Sequence, residues 1–125
     1  MIIGIGIDQV QTRRMKEILL KWAERVEDRV FAEEELAYSR DKGDSHLRLA
    51  ARFAAKEAFF KAVGKGLREG MSWTDVVVTN DPAGRPVLNL RKRAKEIADS
   101  MGVVHIHLSL THTDDCAIAV VILEK

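Results

Sequence analysis

Alternating residue types at the start of the chain predict a β-strand over residues 2–7. One face of this strand is apolar and the other has no side chains: Ile3, Ile5 and Ile7 against Gly4 and Gly6. Because glycine leaves space above the strand, we expect another part of the molecule to pack closely against the glycine face.

Helical periodicity follows the strand. A stripe of apolar residues predicts a helix over residues 12–25, and a shorter helix is expected over residues 32–39. Residues 47–63 are apolar nearly all round a helix and contain neither Gly nor Pro, and Gly64 and Gly66 stop this pattern. They therefore predict a long helix buried at the centre of the molecule.

The second half of the chain predicts two β-hairpins around a helix. These elements are strands at 73–79 and 86–90 with a turn at 80–84, a helix at 91–101 closed by Gly102, and strands at 103–111 and 116–123 with a turn at 112–115. Only one βαβ crossover is possible, between the strands at 86–90 and 103–111. The order predicts an α+β fold whose largely antiparallel sheet, built from hairpins, packs on the long helix in a single domain, residues 1–125.

Composition limits the class of protein but does not indicate a function. Apolar residues make up 46% and charged residues 31% of the chain, which suits a soluble globular domain. A net charge of +1 gives no sign of a nucleic acid or membrane partner. Cys116 is the only cysteine and lies in an apolar run, so we expect a buried, unreactive thiol. With an apolar start too short for a secretion signal, this favours a reducing, cytoplasmic compartment.

Charge is unevenly distributed along the chain. The first predicted helix carries a basic stretch, and the second begins with an acidic one: Arg13, Arg14, Lys16, Lys21 and Arg25, then Glu33, Glu34 and Glu35. The basic stretch is either a solvated helix face or a docking surface for an acidic partner.

Glu57 is the most informative polar residue. On a helical wheel it falls within the apolar stripe of the long helix, next to Phe53 and Phe60. A carboxylate in that position is costly unless something pairs with it. One alternative is an ion pair with Lys61, one turn further on, at a partly exposed edge. The other is a metal ion.

Asp8 continues the glycine face at the expected end of the first strand. It is either a turn or N-cap aspartate before the next helix, or a ligand. Together with Glu57 it would offer two carboxylates to a hard cation. Mg²⁺ typically takes one or two protein carboxylates and completes its shell with water and substrate phosphate oxygens.

Basic residues accompany Glu57 along and beyond the long helix: Arg52, Lys56, Lys61 and Lys65. They could neutralise a phosphate group, whereas Gly64-Lys65-Gly66 is no Walker-type loop and could equally be a helix stop. One face of the strand at 103–111 carries His105, His107, Ser109 and Thr111. It is either a polar sheet face or, through the two histidines, part of a zinc site.

Four blocks of the sequence resemble the bacterial holo-acyl-carrier-protein synthases, a family of small phosphopantetheinyl transferases. The blocks are Gly4-Ile-Gly-Ile-Asp8, Arg52-Phe-Ala-Ala-Lys-Glu-Ala58 continuing to Gly66, Gly84-Arg-Pro86, and His107-Leu-Ser-Leu-Thr-His112. The match spans essentially the whole chain, and the block around Glu57 is its specific part.

The resemblance implies a fold, a reaction and a setting. The fold is the 4′-phosphopantetheinyl transferase-like fold. The reaction transfers 4′-phosphopantetheine from coenzyme A to a serine of an apo acyl carrier protein, releases adenosine 3′,5′-bisphosphate and depends on Mg²⁺. The setting is fatty acid biosynthesis in the cytoplasm, by a homotrimer with active sites between its subunits.

The resemblance also implies roles for individual residues. Asp8 and Glu57 match the family's Mg²⁺ ligands, and Lys61 matches a catalytic lysine that neutralises diphosphate charge. Arg14 matches a position that meets the acidic carrier protein. Six positions lie in blocks that line the coenzyme A site: Arg52, Lys61, Lys65, Gly66, Arg85 and His107.

One departure and several alternatives remain. The family commonly has an acidic residue three positions after the metal aspartate, where this chain has Gln11.

The base that takes the serine proton could be a metal-bound water, Glu57 or Glu35. A hydrolase acting on a phosphoanhydride through Asp8 and Glu57 is the alternative enzyme, and a carrier-protein-binding module without activity is the third interpretation.

Overall fold

The computed structural model describes residues 1–41, 44–64 and 69–125 of the chain. Its helices and strands follow the predicted order: β1 Ile2–Gln11, α1 Thr12–Val30, α2 Glu33–Asp41, α3 Ser45–Val63, β2 Val76–Asn80, β3 Pro86–Leu90, α4 Lys92–Ser100, β4 His105–His112 and β5 Cys116–Glu124. None of the described helices is long and apolar enough to cross a membrane.

The strands form two antiparallel sheets. One sheet has the order β1-β5-β4 and the other consists of the β2–β3 hairpin. The predicted α+β fold with antiparallel pairing is therefore confirmed. Within the described residues the possible crossover does not form, because β3 pairs with β2 and β4 pairs with β5.

Helix α3 lies across the inner face of the three-stranded sheet, in the core of the molecule. Its burial follows from the small residues on both sides of this interface. A Cβ added to Gly6 would lie 1.8 Å from the carbonyl oxygen of Ala58, and one added to Gly4 would lie 2.3 Å from that of Ala62. The close packing expected on the glycine face is thus backbone of α3.

The largest differences from the expected element boundaries are in β1, in α1 and at residues 73–75. Strand β1 continues four residues beyond Ile7, because it pairs with β5 along its whole length. Helix α1 runs on to Val30 through a kink at Ala23, where φ is +26°. Residues Trp73–Asp75 form a 3-10 turn rather than the start of a strand, and a reciprocal capping box between Ser72 and Asp75 holds it.

The outer face of the three-stranded sheet is open, and its β1 side carries exposed apolar residues. Ile5 and Ile7 are 62% and 59% exposed. They stand opposite Ile122 and Val120 of the neighbouring strand and therefore share a face with them. Cys116, expected to be buried, is half-buried at the edge of this face.

Candidate active site

Asp8 lies in the middle of β1, not at its end. It is paired with Ala119 of β5 and points to the inner face of the sheet, toward α3. The residue before α1 is Gln11, so Asp8 is neither an N-cap nor a turn residue. Its side chain is only 15% exposed.

Lys61 of α3 pairs with Asp8 across the interface between helix and sheet. Its Nζ donates to Oδ1 of Asp8 at 3.0 Å and to the carbonyl oxygen of Ile7 at 3.1 Å. The ion pair between Glu57 and Lys61, one of the two alternatives that the sequence left open, does not form. This lysine is 55% exposed, so its ammonium can leave Asp8 when another anion approaches.

Glu57 faces the same place from α3 and is half-buried. Within the described residues it has no hydrogen bond or ion pair. Burial raises the pKa of its carboxyl, the charge of Asp8 raises it further, and Lys61 opposes both effects. The two carboxylates are therefore close enough to repel each other.

This pair of carboxylates fits Mg²⁺. A cation between them would relieve their repulsion, and the ligand number matches a cation that keeps water or substrate oxygens in its shell. The described ranges contain no group of three or more His, Cys, Asp or Glu placed to hold a metal ion. His105 and His107 thus lack a third zinc ligand there, and Asp8 with Glu57 is the better candidate.

An open cleft of about 630 Å³ adjoins the two carboxylates. Asp8 and Glu57 line it together with Arg14, which α1 holds exposed at the cleft. The apolar wall includes Phe53, whose ring stacks on Trp73 with centroids 4.9 Å apart. The sequence interpretation missed this aromatic wall, although the position of Phe53 one turn before Glu57 was the available signal.

Two charged residues do not belong to this cleft. Glu35, considered as the base, has no solvent exposure, and Lys56, counted among the phosphate-neutralising lysines, has none either. They bind each other at 2.7 Å inside the core. Glu35 therefore cannot accept a proton at the cleft and Lys56 cannot neutralise a phosphate there, so both interpretations are wrong.

Arg52 lies about 140° around α3 from Glu57 and is buried. Its guanidinium rests over the ring of Tyr38 at 4.4 Å and donates to Oδ1 of Asn80 at 2.9 Å. Burial lowers its pKa. It lines a second pocket, which reaches Gly84 in the β2–β3 turn.

The other coenzyme positions are not brought to Asp8 in this chain. Arg85 is exposed in the β2–β3 turn, and its backbone N–H donates to Oδ1 of Asp81 at 2.8 Å. His107 lies on the outer face of the sheet, where its Nε2 is 2.9 Å from Oε1 of Glu124. Lys65 and Gly66 fall outside the described residues.

The arrangement can bind a cation and an anion together. Two convergent carboxylates, an exposed ammonium and an open cleft suit a phosphate ester or anhydride that arrives with a divalent metal. A second pocket stands apart from them in the same chain, and its charged lining residues are Glu34, Arg52 and Asp81. Arg52 on its wall and Arg85 in the adjacent turn could hold another part of a large phosphorylated ligand.

Comparisons with known proteins agree with this chemistry. A profile of the 4′-phosphopantetheinyl transferase superfamily matches residues 4–121. A holo-[acyl-carrier-protein] synthase of Trichlorobacter lovleyi is 46% identical over 124 residues, which cover 99% of this chain and 98% of the relative.

Solved structures are similar over the same length. The crystal structure of a holo-[acyl-carrier-protein] synthase from Neisseria meningitidis has a TM-score of 0.91 and 34% identity, with both chains fully covered. One from Bacillus anthracis in complex with CoA (3′,5′-ADP) has a TM-score of 0.79 and 36% identity, with 98% of this chain and 96% of that chain covered.

Proposed function

This chain belongs to the 4′-phosphopantetheinyl transferase superfamily, and we propose that its reaction depends on Mg²⁺ held by Asp8 and Glu57. The chain is a holo-acyl-carrier-protein synthase: it moves the phosphopantetheine arm of coenzyme A onto a serine of an apo acyl carrier protein. The family resemblance predicted this reaction, and the hydrolase alternative has no such support. The observation that supports this site is the pair of carboxylates that face the open cleft.

The reaction exchanges one phosphorus–oxygen bond for another. The serine oxygen attacks the phosphorus nearest the pantetheine, and the bond from that phosphorus to the bridging oxygen breaks. Adenosine 3′,5′-bisphosphate leaves with the bonding electrons, and the serine proton passes to a base. Negative charge grows on the diphosphate oxygens as this happens, so fixed positive charge beside them lowers the barrier.

Asp8 and Glu57 at the cleft, and Lys61 beside Asp8, have different roles in this reaction. Asp8 and Glu57 would hold Mg²⁺, which when bound supplies Lewis-acid neutralisation of the diphosphate oxygens. Lys61 is a point charge that exchanges Asp8 for the diphosphate as the substrate binds. Of the two carboxylates proposed as the base, Glu35 and Glu57, only Glu57 lies at the cleft and is within reach of a bound serine.

The coenzyme site is proposed to be shared between subunits of a homotrimer. Arg52, Arg85 and His107 all lie away from Asp8 in one copy of the chain. The open apolar face around Ile5 and Ile7 offers a surface through which copies could associate. Association would bring the second pocket of one copy to the carboxylates of the next and complete the site.

The carrier protein is proposed to dock on α1. Arg14 stands at the cleft beside Asp8 and Glu57, and the basic stretch continues along the same helix. Such a surface suits an acidic partner that delivers its serine to the cleft. We further propose that residues 1–125 form a single transferase domain that supports fatty acid biosynthesis in the cytoplasm.

The test uses coenzyme A, Mg²⁺ and an apo acyl carrier protein, with the intact mass of the carrier as the readout. A gain of one phosphopantetheine is expected, together with release of adenosine 3′,5′-bisphosphate. A carrier whose acceptor serine is replaced by alanine is the control and should gain nothing. Hydrolysis of coenzyme A without any gain in carrier mass would contradict the transferase assignment.

A further inference from the structure

Lys56 is a buried charged residue that the reaction above does not use. It has no solvent exposure, although it directly precedes Glu57 on α3. Its ammonium donates to Oε1 of Glu35 at 2.7 Å and to the carbonyl oxygen of Trp73 at 3.0 Å. The carbonyl oxygen of Val76 is the third acceptor. An ammonium has three N–H donors, so its whole capacity is used inside the core.

Glu35 completes the arrangement from α2. Its Oε1 also accepts from the backbone N–H of Ala32, and its Oε2 accepts from the backbone N–H of Val78, both at 2.9 Å. The pair therefore ties the start of α2 and the strand β2 to α3. Each tie is a directional hydrogen bond to backbone, which fixes position more narrowly than apolar packing does.

Burying both charges is not the simplest way to stabilise this core. Burial lowers the pKa of Lys56, and the charge and hydrogen bond of Glu35 oppose that effect. Apolar residues of similar volume often stabilise a core as well as a buried ion pair does. The pair has a clearer use in fixing one geometry among the elements that it joins.

On one side, contacts lead from Lys56 to the wall of the cleft. The carbonyl of Trp73 is held by Lys56, and the ring of Trp73 stacks on Phe53. Phe53 in turn lines the cleft that contains Glu57. Lys56 therefore connects the 3-10 turn to the cleft without touching the cleft itself.

On the other side, contacts lead from Glu35 along β2 to the turn of the β2–β3 hairpin. Strand β2 ends at Asn80, whose Oδ1 accepts from Arg52 at 2.9 Å. The Nδ2 of the same side chain donates to the carbonyl oxygen of Gly84 at 3.0 Å. Arg85 follows in that turn, so a shift of β2 on α3 would displace Arg52 and Arg85 relative to each other.

We propose that the Lys56–Glu35 pair is a positioning element that fixes the β2–β3 hairpin, and with it the coenzyme A contacts of Arg52 and Arg85, on the helix that carries Glu57. This inference rests on the proposed function, because it takes these arginines as coenzyme A contacts. The pair touches no substrate, so its effect is on binding geometry and not on the chemical step.

The test removes both charges at once, in the variant Lys56→Met/Glu35→Gln. Methionine keeps the length of the lysine stem, and glutamine keeps an acceptor for the N–H of Val78. No unpaired charge is left in the core, so the variant avoids the largest cost of a single replacement. The readouts are kcat and KM for coenzyme A, the calorimetric affinity for coenzyme A, and thermal unfolding.

We expect KM for coenzyme A to rise about tenfold and kcat to fall by less than about threefold, because only ground-state positioning is lost. The calorimetric affinity should weaken by the same factor as KM rises. Leu123→Ala is the matched control, since it creates a cavity in the same core but in β5 of the three-stranded sheet, away from the β2–β3 hairpin. It should lower the unfolding temperature and leave KM unchanged.

An unchanged KM and affinity in the folded double variant would overturn the inference and leave the pair a structural feature only. If the double variant does not fold, Glu35→Asp, which keeps both charges and shortens the carboxylate, must weaken coenzyme A binding when assayed below its unfolding transition, and unchanged binding there overturns the inference too. If the unaltered chain neither binds coenzyme A nor modifies the carrier, the proposed function itself fails, and this inference fails with it.

Discussion

Replacing Gly6 by alanine should damage the active site from a position that touches no substrate. The added Cβ would lie 1.8 Å from the carbonyl oxygen of Ala58, whereas Cβ atoms essentially never approach closer than 3.0 Å. Strand β1 and helix α3 must therefore move apart by about 1.2 Å at this point. The obstacle is backbone, so no side-chain rotation can relieve it.

The expected losses of stability and of transfer rate follow from the position of this displacement. Overpacking of a close interface costs about 1–3 kcal/mol, which a domain of ordinary stability survives. Asp8 lies two residues further along β1 and Glu57 lies next to Ala58 on α3, so the two carboxylates separate with their elements. A misplacement of about 1 Å at reacting groups can cost about 100-fold in rate.

The assay pairs thermal unfolding with the rate of carrier modification by intact mass. Gly102→Ala is the matched control, because it replaces a glycine whose φ is +81° and whose added Cβ meets only the flexible side chain of Lys125. This control should lose about 1 kcal/mol of stability and keep its activity. If Gly6→Ala kept both the stability and the rate of the unaltered chain, the packing of β1 on α3 described above would be wrong.

Three further predictions test other parts of the account. Lys61→Met should lower kcat by about 100-fold in steady-state transfer assays, because the ammonium no longer neutralises the diphosphate; a normal kcat would contradict that role. Ile5→Lys should dissociate the proposed homotrimer in light scattering and abolish transfer, whereas the control Leu20→Lys, on exposed α1, should keep the oligomeric mass; an unchanged mass for Ile5→Lys would argue against assembly through this face. The hydrogen bond and charge of Arg91 lower the pKa of Glu34, so the stabilisation they give is present above the usual carboxyl pKa and lost as pH falls through the lowered one. The difference in unfolding temperature between the unaltered chain and Arg91→Gln should therefore shrink from pH 7 to pH 3, and a constant difference would refute this linkage.

Local patterns were sufficient to predict most of the fold. The alternation of Ile and Gly predicted both the first strand and the close approach of another element to its glycine face. The apolar run at residues 47–63 predicted the buried helix. Those signals lie within single segments, where periodicity reports directly on burial.

Long-range pairing could not be predicted in the same way. The register of β1 on β5 joins residues more than 100 positions apart, as in the pair Asp8 and Ala119, and it places Asp8 inside the strand. The contact between Glu35 and Lys56 joins two helices across the core. Each of these charged residues has an ordinary solvent-exposed interpretation in the sequence, and only tertiary packing decides against it.

The candidate site was predicted in part. The structure brings Asp8, Glu57 and Lys61 together, as the family resemblance implied, but Lys61 pairs with Asp8 and not with Glu57. Arg52 and His107 lie elsewhere in the same chain, because Arg52 is buried on a different side of α3 from Glu57 and His107 is on the outer face of the sheet. The proposed sharing of the site between copies of the chain would account for this separation, and the residue pattern of one copy does not report it.

The most direct test of the account is the rate of carrier modification as a function of free Mg²⁺, measured for the unaltered chain and for Glu57→Gln. If Asp8 and Glu57 hold Mg²⁺, the unaltered chain should show saturable activation and complete loss of transfer in EDTA, and Glu57→Gln should be activated only at much higher Mg²⁺. Transfer that continues in EDTA, or identical Mg²⁺ dependence in the two proteins, would contradict a metal site formed by Asp8 and Glu57.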